Sequence, residues 1–271
     1  MNFILIRRTL RDYFPLAVGA TVLLFVFAVL FVFATNSIPL EEGRQWLKLE
    51  WVRRLVNAMV GGDLAEALTP TGVSSFIFTH PLTWVLVVGF VFTISTGVLS
   101  AEMDRGTMDL LATLPVSRAT LYSSVSVVVL ILGVPLMIAP WLGVWVGARI
   151  VGVIHLAQMG RLAVVAVNLY AAYILISGLS ICLSAVFERR TSALIACFVI
   201  VFYSAVLNLL VAFWPAAQKI AFTGFFYYFA PLRVVLNSTF PAGDISVLCC
   251  AGLLFWLTGL VCFCRRDIHV T

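Results

Sequence analysis

The chain has 271 residues, of which 62% are hydrophobic and 11% charged, with a mean hydropathy of +1.10 and a formal net charge of +5. Soluble domains run nearer about 45–50% apolar and about 25% charged, so a soluble globule is excluded and lipid is the solvent for most of this chain. The positive charge sits in short clusters between apolar runs, which bears on membrane orientation and leaves no footprint for nucleic acid.

The first element is amphipathic. Phe3, Ile6, Leu10 and Tyr13 recur at spacings of three and four, with Arg7, Arg8, Arg11 and Asp12 on the opposite side. This pattern suits a helix in the headgroup layer with its arginines toward anionic lipid, and equally a helix that docks a partner. The apolar stretch behind it is about 22 residues long and ends without a small-x-small cleavage site, so it reads as a retained first span and not a signal peptide. About 20 apolar residues cross the hydrocarbon as a helix. Six runs meet that length: 14–35, 81–100, 120–148, 162–185, 192–213 and 245–264. Each is continuously apolar and lacks the alternation of a membrane β-barrel, so the expected fold is an all-α integral membrane domain over 1–271. Pro135 and Pro140 predict a kink in the long third run.

Between the first two runs, a second amphipathic helix is expected over about 41–60. Val52, Leu55, Val56 and Met59 share one face, Glu50, Arg53, Arg54 and Asn57 the other, and Gly61 with Gly62 would end it. Trp46 and Trp51 are suited to anchor it at the interface. Lys and Arg density places both termini on the cytosolic side. Arg7, Arg8, Arg11, Arg105, Arg118, Arg189, Arg190, Arg265 and Arg266 fall in short stretches on that side, while the other eight cations are spread over longer loops.

The cytosolic segment after the second run, 101–119, has the form of a break, a short helix and a second break. Gly106 accepts backbone angles other residues avoid, Thr107 can cap a helix over 108–113, Pro115 stops it and Ser117 can cap the third span. The result is a helical knob tethered to two spans and rimmed by Glu102, Asp104, Arg105, Asp109 and Arg118; an ordinary inter-helix loop has the same charges.

Motifs for chemistry in the chain itself are absent. There is no Gly-Lys pair for a P-loop, no His-Glu-x-x-His and no Gly-x-Ser-x-Gly. His80, His155 and His269 are far apart, and the six cysteines fall in or beside apolar runs as small packing residues, so no metal site is expected. No Asp, Glu, Lys, Arg or His lies well inside a run, which argues against a proton-coupled carrier and against an intramembrane enzyme. The mild polar groups Asn168, Tyr170, Tyr173, Ser177 and Ser180 in the fourth run, and Tyr203, Ser204 and Asn208 in the fifth, are suited to helix–helix hydrogen bonds or to lining a substrate path.

Glu102, Arg105, Gly106, Thr107, Leu111, Pro115, Val116, Ser117 and Arg118, at their spacing, closely resemble the loop signature of ABC-2-type transporter permeases. The likeness extends to the amphipathic N-terminal segment, to the turn at Phe187, Glu188, Arg189 and Arg190, and to the tail around Phe263, Arg265, Arg266, Asp267 and Ile268. Size and span order are most similar to stand-alone six-span permeases, such as the group that serves nitrous oxide reductase maturation. The resemblance implies a bacterial inner-membrane subunit, a dimer of permeases and a separate ATPase in two copies that holds ATP and Mg2+, with no cofactor in this chain. It also implies that Glu102, Arg105, Gly106, Thr107, Leu111, Pro115 and Arg118 couple the subunits. The helix at 41–60 departs from the better-known relatives. A membrane scaffold that holds an extracytoplasmic partner and carries no substrate is the competing reading.

Overall fold

A computed structural model describes residues 3–37, 48–62, 69–100, 117–153, 158–237 and 239–265. All regular structure among the described residues is helical, as expected, because backbone groups in lipid must be bonded within the segment itself. Six helices are long and apolar enough to cross a membrane. They are α1 (Phe3–Ser37), α4 (Pro81–Val98), α5 (Arg118–Val151), α6 (Met159–Val186), α7 (Arg190–Phe213) and α9 (Ala242–Arg265). Shorter helices α2 (Glu50–Val60), α3 (Pro70–Ser75) and α8 (Pro231–Asn237) lie between them. Most spans extend a few residues past the apolar runs, because helical bonding continues into the interface where hydropathy drops.

The structure revises the N-terminal segment. It is no separate interfacial helix but the first turns of α1, which runs unbroken through Pro15. At about 1.5 Å per residue, its 35 residues span about 52 Å, against about 30 Å of hydrocarbon. The helix therefore extends beyond the hydrocarbon core into the headgroup layer. Proline removes one backbone bond there, where apolar and charged sequence meet. Likewise α5 remains one helix through Pro135 and Pro140.

α2 keeps the expected faces. Val52, Leu55, Val56 and Met59 are half-buried and Glu50, Arg53 and Arg54 exposed, with an Arg54–Glu50 ion pair one turn apart. Gly61 ends it in the left-handed region (φ +76°), donating its N–H to Asn57 O at 2.9 Å. Val56, Met59 and Val60 pack against Leu232 and Leu236 of α8. Residues 41–47 of the expected helix lie outside the described residues.

The segment between α7 and α9, expected as an outside loop, is the main correction. It forms two 3-10 turns, Pro215–Thr223, exposed apart from Ala217 and Ala221, and Phe225–Tyr228, followed by α8, with an 86° bend that turns the second part against the protein. Such broken backbone is tolerated only where protein covers it, and here Phe225, Phe229, Leu232, Val234 and Val235 are buried. The Trp84 ring stands 5.8, 4.7 and 5.3 Å from those of Phe225, Phe226 and Phe229. Arg161 of α6 donates to Val235 O (2.8 Å) and Asn168 Nδ2 to Tyr228 O (3.3 Å), which ties the returning chain to α6.

α6 is the hub: 72% of its most apolar stretch is buried, against 17% for α7 and 22% for α9. Glycines set its closest contact. A methyl at Gly178 would strike Gly252 O of α9, and one at Gly252 would lie 2.9 Å from Ile174 O. Gly143 and Gly147 of α5, four apart, do the same against α1, where an added methyl at Gly147 would lie 2.9 Å from Val32 Cβ. Small residues at this spacing let helix backbones approach in lipid, where van der Waals contact replaces the hydrophobic drive. The outer faces of α1, α7 and α9 expose side chains such as Leu23, Phe198, Phe202 and Leu254, which hydrocarbon can solvate.

Candidate functional site

Long-range contacts show which helix ends lie together. Tyr13 Oη of α1 sits against Gly97 of α4, and Arg190 Nε of α7 donates to Thr96 Oγ1 at 3.3 Å. Ser100 meets Ser184 near the end of α6, and Tyr122 near the start of α5 packs on Phe263 at the end of α9 (5.9 Å). One end of the bundle therefore gathers Arg7, Arg8, Arg11, Arg118, the Phe187–Arg190 turn and Arg265, together with both residues that flank 101–116. Glu102, Arg105, Gly106, Thr107, Leu111 and Pro115 lie outside the described residues, as do Arg266, His155 and His269.

The two feet of that segment are fixed by different chemistry. At the first, Ser100 N–H donates to Ser184 Oγ (3.1 Å), the two hydroxyls meet at 2.6 Å, Ser100 Oγ reaches Ser184 O (3.0 Å), and Ser184 Oγ reaches Ser95 O (2.9 Å). Both serines are fully buried, so each bond is screened little and each lost partner would leave a costly orphan. At the second foot, Ser117 caps α5 by accepting from Thr120 N (3.1 Å), as the sequence predicts. Arg118 then opens the helix. One turn on, Tyr122 Oη donates to Trp256 O (3.0 Å) and Trp256 Nε1 donates to Ser126 Oγ (2.8 Å). The first foot is thus tied to α6 and the second to α9, and the glycine contact joins α6 to α9. Sequence reading missed this serine clasp. The only local signal is the spacing of Ser95, Thr96 and Ser100 on one span and of Ser180 and Ser184 on another.

The candidate path residues each bond to backbone of another element. Asn168 reaches Tyr228, Tyr170 Oη donates to Leu130 O (3.1 Å), Tyr173 Oη to Val129 O (2.6 Å) and Asn208 Nδ2 to Ala58 O (2.8 Å). Tyr170 lines an apolar groove of about 360 Å³ between α5 and α6. Asn208 instead lines a polar pocket of about 630 Å³ at the far end, with Arg54, Gln218 and Arg233. Between α5, α6 and α9 lies a further apolar cavity of about 470 Å³, edged by Ser177 and Trp256. His80 caps α4, its Nδ1 accepting from Leu82 N (3.2 Å). Among the described residues no group of three or more His, Cys, Asp or Glu is placed to hold a metal ion.

The family model for ABC-2 family transporter proteins matches residues 15–268, so all six spans fall within it in whole or large part, while the arginine-bearing first turns of α1 precede it. No curated protein and no solved structure matches the chain. The chain belongs to the ABC-2 transporter family and is a multi-pass membrane protein; in that family the permease is non-catalytic and ATP hydrolysis is the work of a separate subunit.

Proposed function

We propose that this ABC-2 family member is a permease subunit that pairs with a second copy and recruits two copies of a separate ATPase, which bind the ATP and Mg2+. Closure of the ATPase subunits pushes on 102–118 and on the first turns of α1, with Glu102, Arg105 and Arg118 making charged contacts, Thr107 and Leu111 belonging to the same coupling segment, and Gly106 and Pro115 shaping the loop. Arg7, Arg8 and Arg11 stand at the same end, on turns of α1 that extend past the hydrocarbon core. The observation that supports this reading is that both feet of the segment are bonded to the tightly packed α6–α9 pair. A push delivered there moves a rigid unit and is not lost in a loose loop. The work done is export or mechanical change across the bilayer. The likeness to stand-alone six-span permeases of the nitrous oxide reductase maturation group belongs to the same proposal, as do cytosolic termini in a bacterial inner membrane. On this reading Asn168, Tyr170, Tyr173 and Asn208 are the polar groups a path between the helices would meet.

The test uses the permease reconstituted with the ATPase that copurifies from native membranes. Glu102→Ala combined with Arg105→Ala is expected to lower permease-stimulated hydrolysis about tenfold or more, the loss expected for charge-assisted contacts. Unchanged hydrolysis and unchanged ATPase binding would overturn the coupling role. Recovery of no P-loop ATPase in the pull-down would favour the scaffold reading.

A further inference from the structure

A pocket of about 520 Å³ opens where the first turns of α1 meet the end of α4 and the starts of α5 and α7. It is separate from the serine clasp and needs none of the residues assigned to coupling except the flank of α1. Its walls carry two arginines from different helices, Arg8 and Arg190, and one acid, Asp12. Arg8 and Asp12 form a loose ion pair, Nε standing 3.9 Å from Oδ2, beyond hydrogen-bond distance, so this carboxylate leaves the guanidinium able to take a further acceptor. Arg190 is half-buried and held by its bond to Thr96 Oγ1, which fixes its planar fork at the pocket wall. The hydroxyls of Tyr13 and Thr93 share the walls with the apolar side chain of Leu121.

Depth decides the kind of ligand. α4 ends at Val98, α5 begins at Arg118 and α7 begins at Arg190, so the pocket lies where the spans leave the hydrocarbon, at the level of lipid headgroups. Two cations against one carboxylate leave a net charge that one phosphate diester balances. Arginine forks match phosphate oxygens in pairs, and basic pockets between membrane helices recognise anionic headgroups. A hydroxyl-and-leucine wall suits the glycerol and the start of an acyl chain. We propose that this pocket holds the phosphate diester of a monoanionic phospholipid from the surrounding leaflet, which joins the first turns of α1 to α4 and α7.

The full chain, purified in a zwitterionic detergent, is titrated with phosphatidylglycerol, phosphatidylcholine and inorganic phosphate, and bound lipid is read by native mass spectrometry. One phosphatidylglycerol is expected to be retained about tenfold more tightly than phosphatidylcholine, with inorganic phosphate unable to displace it. Arg190→Gln and Arg8→Gln each remove the preference. Arg265→Gln, which neutralises an exposed charge at the same end away from the pocket, leaves it intact. If Arg190→Gln fails to fold, as its thermal melt will show, Arg8→Gln decides alone, because that side chain is 67% exposed. Equal retention of the two lipids, an equal effect of Arg265→Gln, or displacement by inorganic phosphate overturns the proposal; the last would make the ligand a soluble anion.

Discussion

The two ends of the bundle carry the same charge, and both combine hydrogen bonds to backbone with ring packing, but in different proportions. Among the described residues each has seven Lys or Arg and two acids, so composition does not tell them apart. At the N-terminal end, the short hydroxyls of Ser100 and Ser184 clasp two helices, and the Tyr122 hydroxyl reaches a third through Trp256 O. At the far end, an aromatic cluster around Trp84 covers a folded-back segment, and a polar pocket of about 630 Å³ stays open beside it. Hydrogen bonds fix direction and register, whereas ring packing tolerates sliding and rearrangement. The difference is that a fully buried hydroxyl clasp stands at the end that holds the feet of 101–116, while an open polar pocket stands at the other. On the proposed function, that end receives force and the other end gives way to it.

The largest effect expected from breaking this contrast is at the far end. Trp84→Ala removes the ring that three phenylalanines pack on, and a loss of about 3–5 kcal/mol is expected, measured as a lowered unfolding midpoint in detergent. Hydrogen exchange should rise across 215–237 but not across 117–126. Trp84→Phe should recover most of the loss, since Trp84 Nε1 has no hydrogen-bond partner among the described residues. Uniform loosening of both ends would show that they are not independent.

A smaller but more telling change is Ser184→Ala. It leaves the buried Ser100 N–H without its acceptor, a cost of about 1–3 kcal/mol. Permease-stimulated ATP hydrolysis is expected to fall while exchange across 215–237 stays as in the parent. Stimulation that survives alongside a lowered melting point would reduce the clasp to packing. Asn208→Ala is the mildest of the three. Its bond to Ala58 O joins α7 to α2 at the far end, and about 1 kcal/mol or less is expected from the same melt.

The spans were legible in the sequence because a continuous apolar run long enough to cross lipid has few other folds open to it. Local stops were legible too: Ser117 caps α5 and Gly61 ends α2 for reasons contained within four residues. The folded-back segment was not. The stretch between the fifth and sixth runs reads as a loop, and the burial of its part from Phe225 on depends on Trp84, more than a hundred residues earlier. The serine clasp was hidden for the same reason, since nothing in the neighbourhood of Ser100 names Ser184 as its partner. The length of α1 was missed because hydropathy falls at Tyr13 while helical bonding does not.

The contact between Gly178 and Gly252 also governs how such a chain can change over generations. Apolar side chains on the lipid face of α7 can be exchanged for one another at little cost, because hydrocarbon accommodates any of their shapes. At Gly178 even the smallest replacement, alanine, would place its methyl against a carbonyl oxygen of the facing helix. Drift is therefore free on the outside of the molecule and barred along seams such as this one within it, and the two helices that meet there can diverge only together.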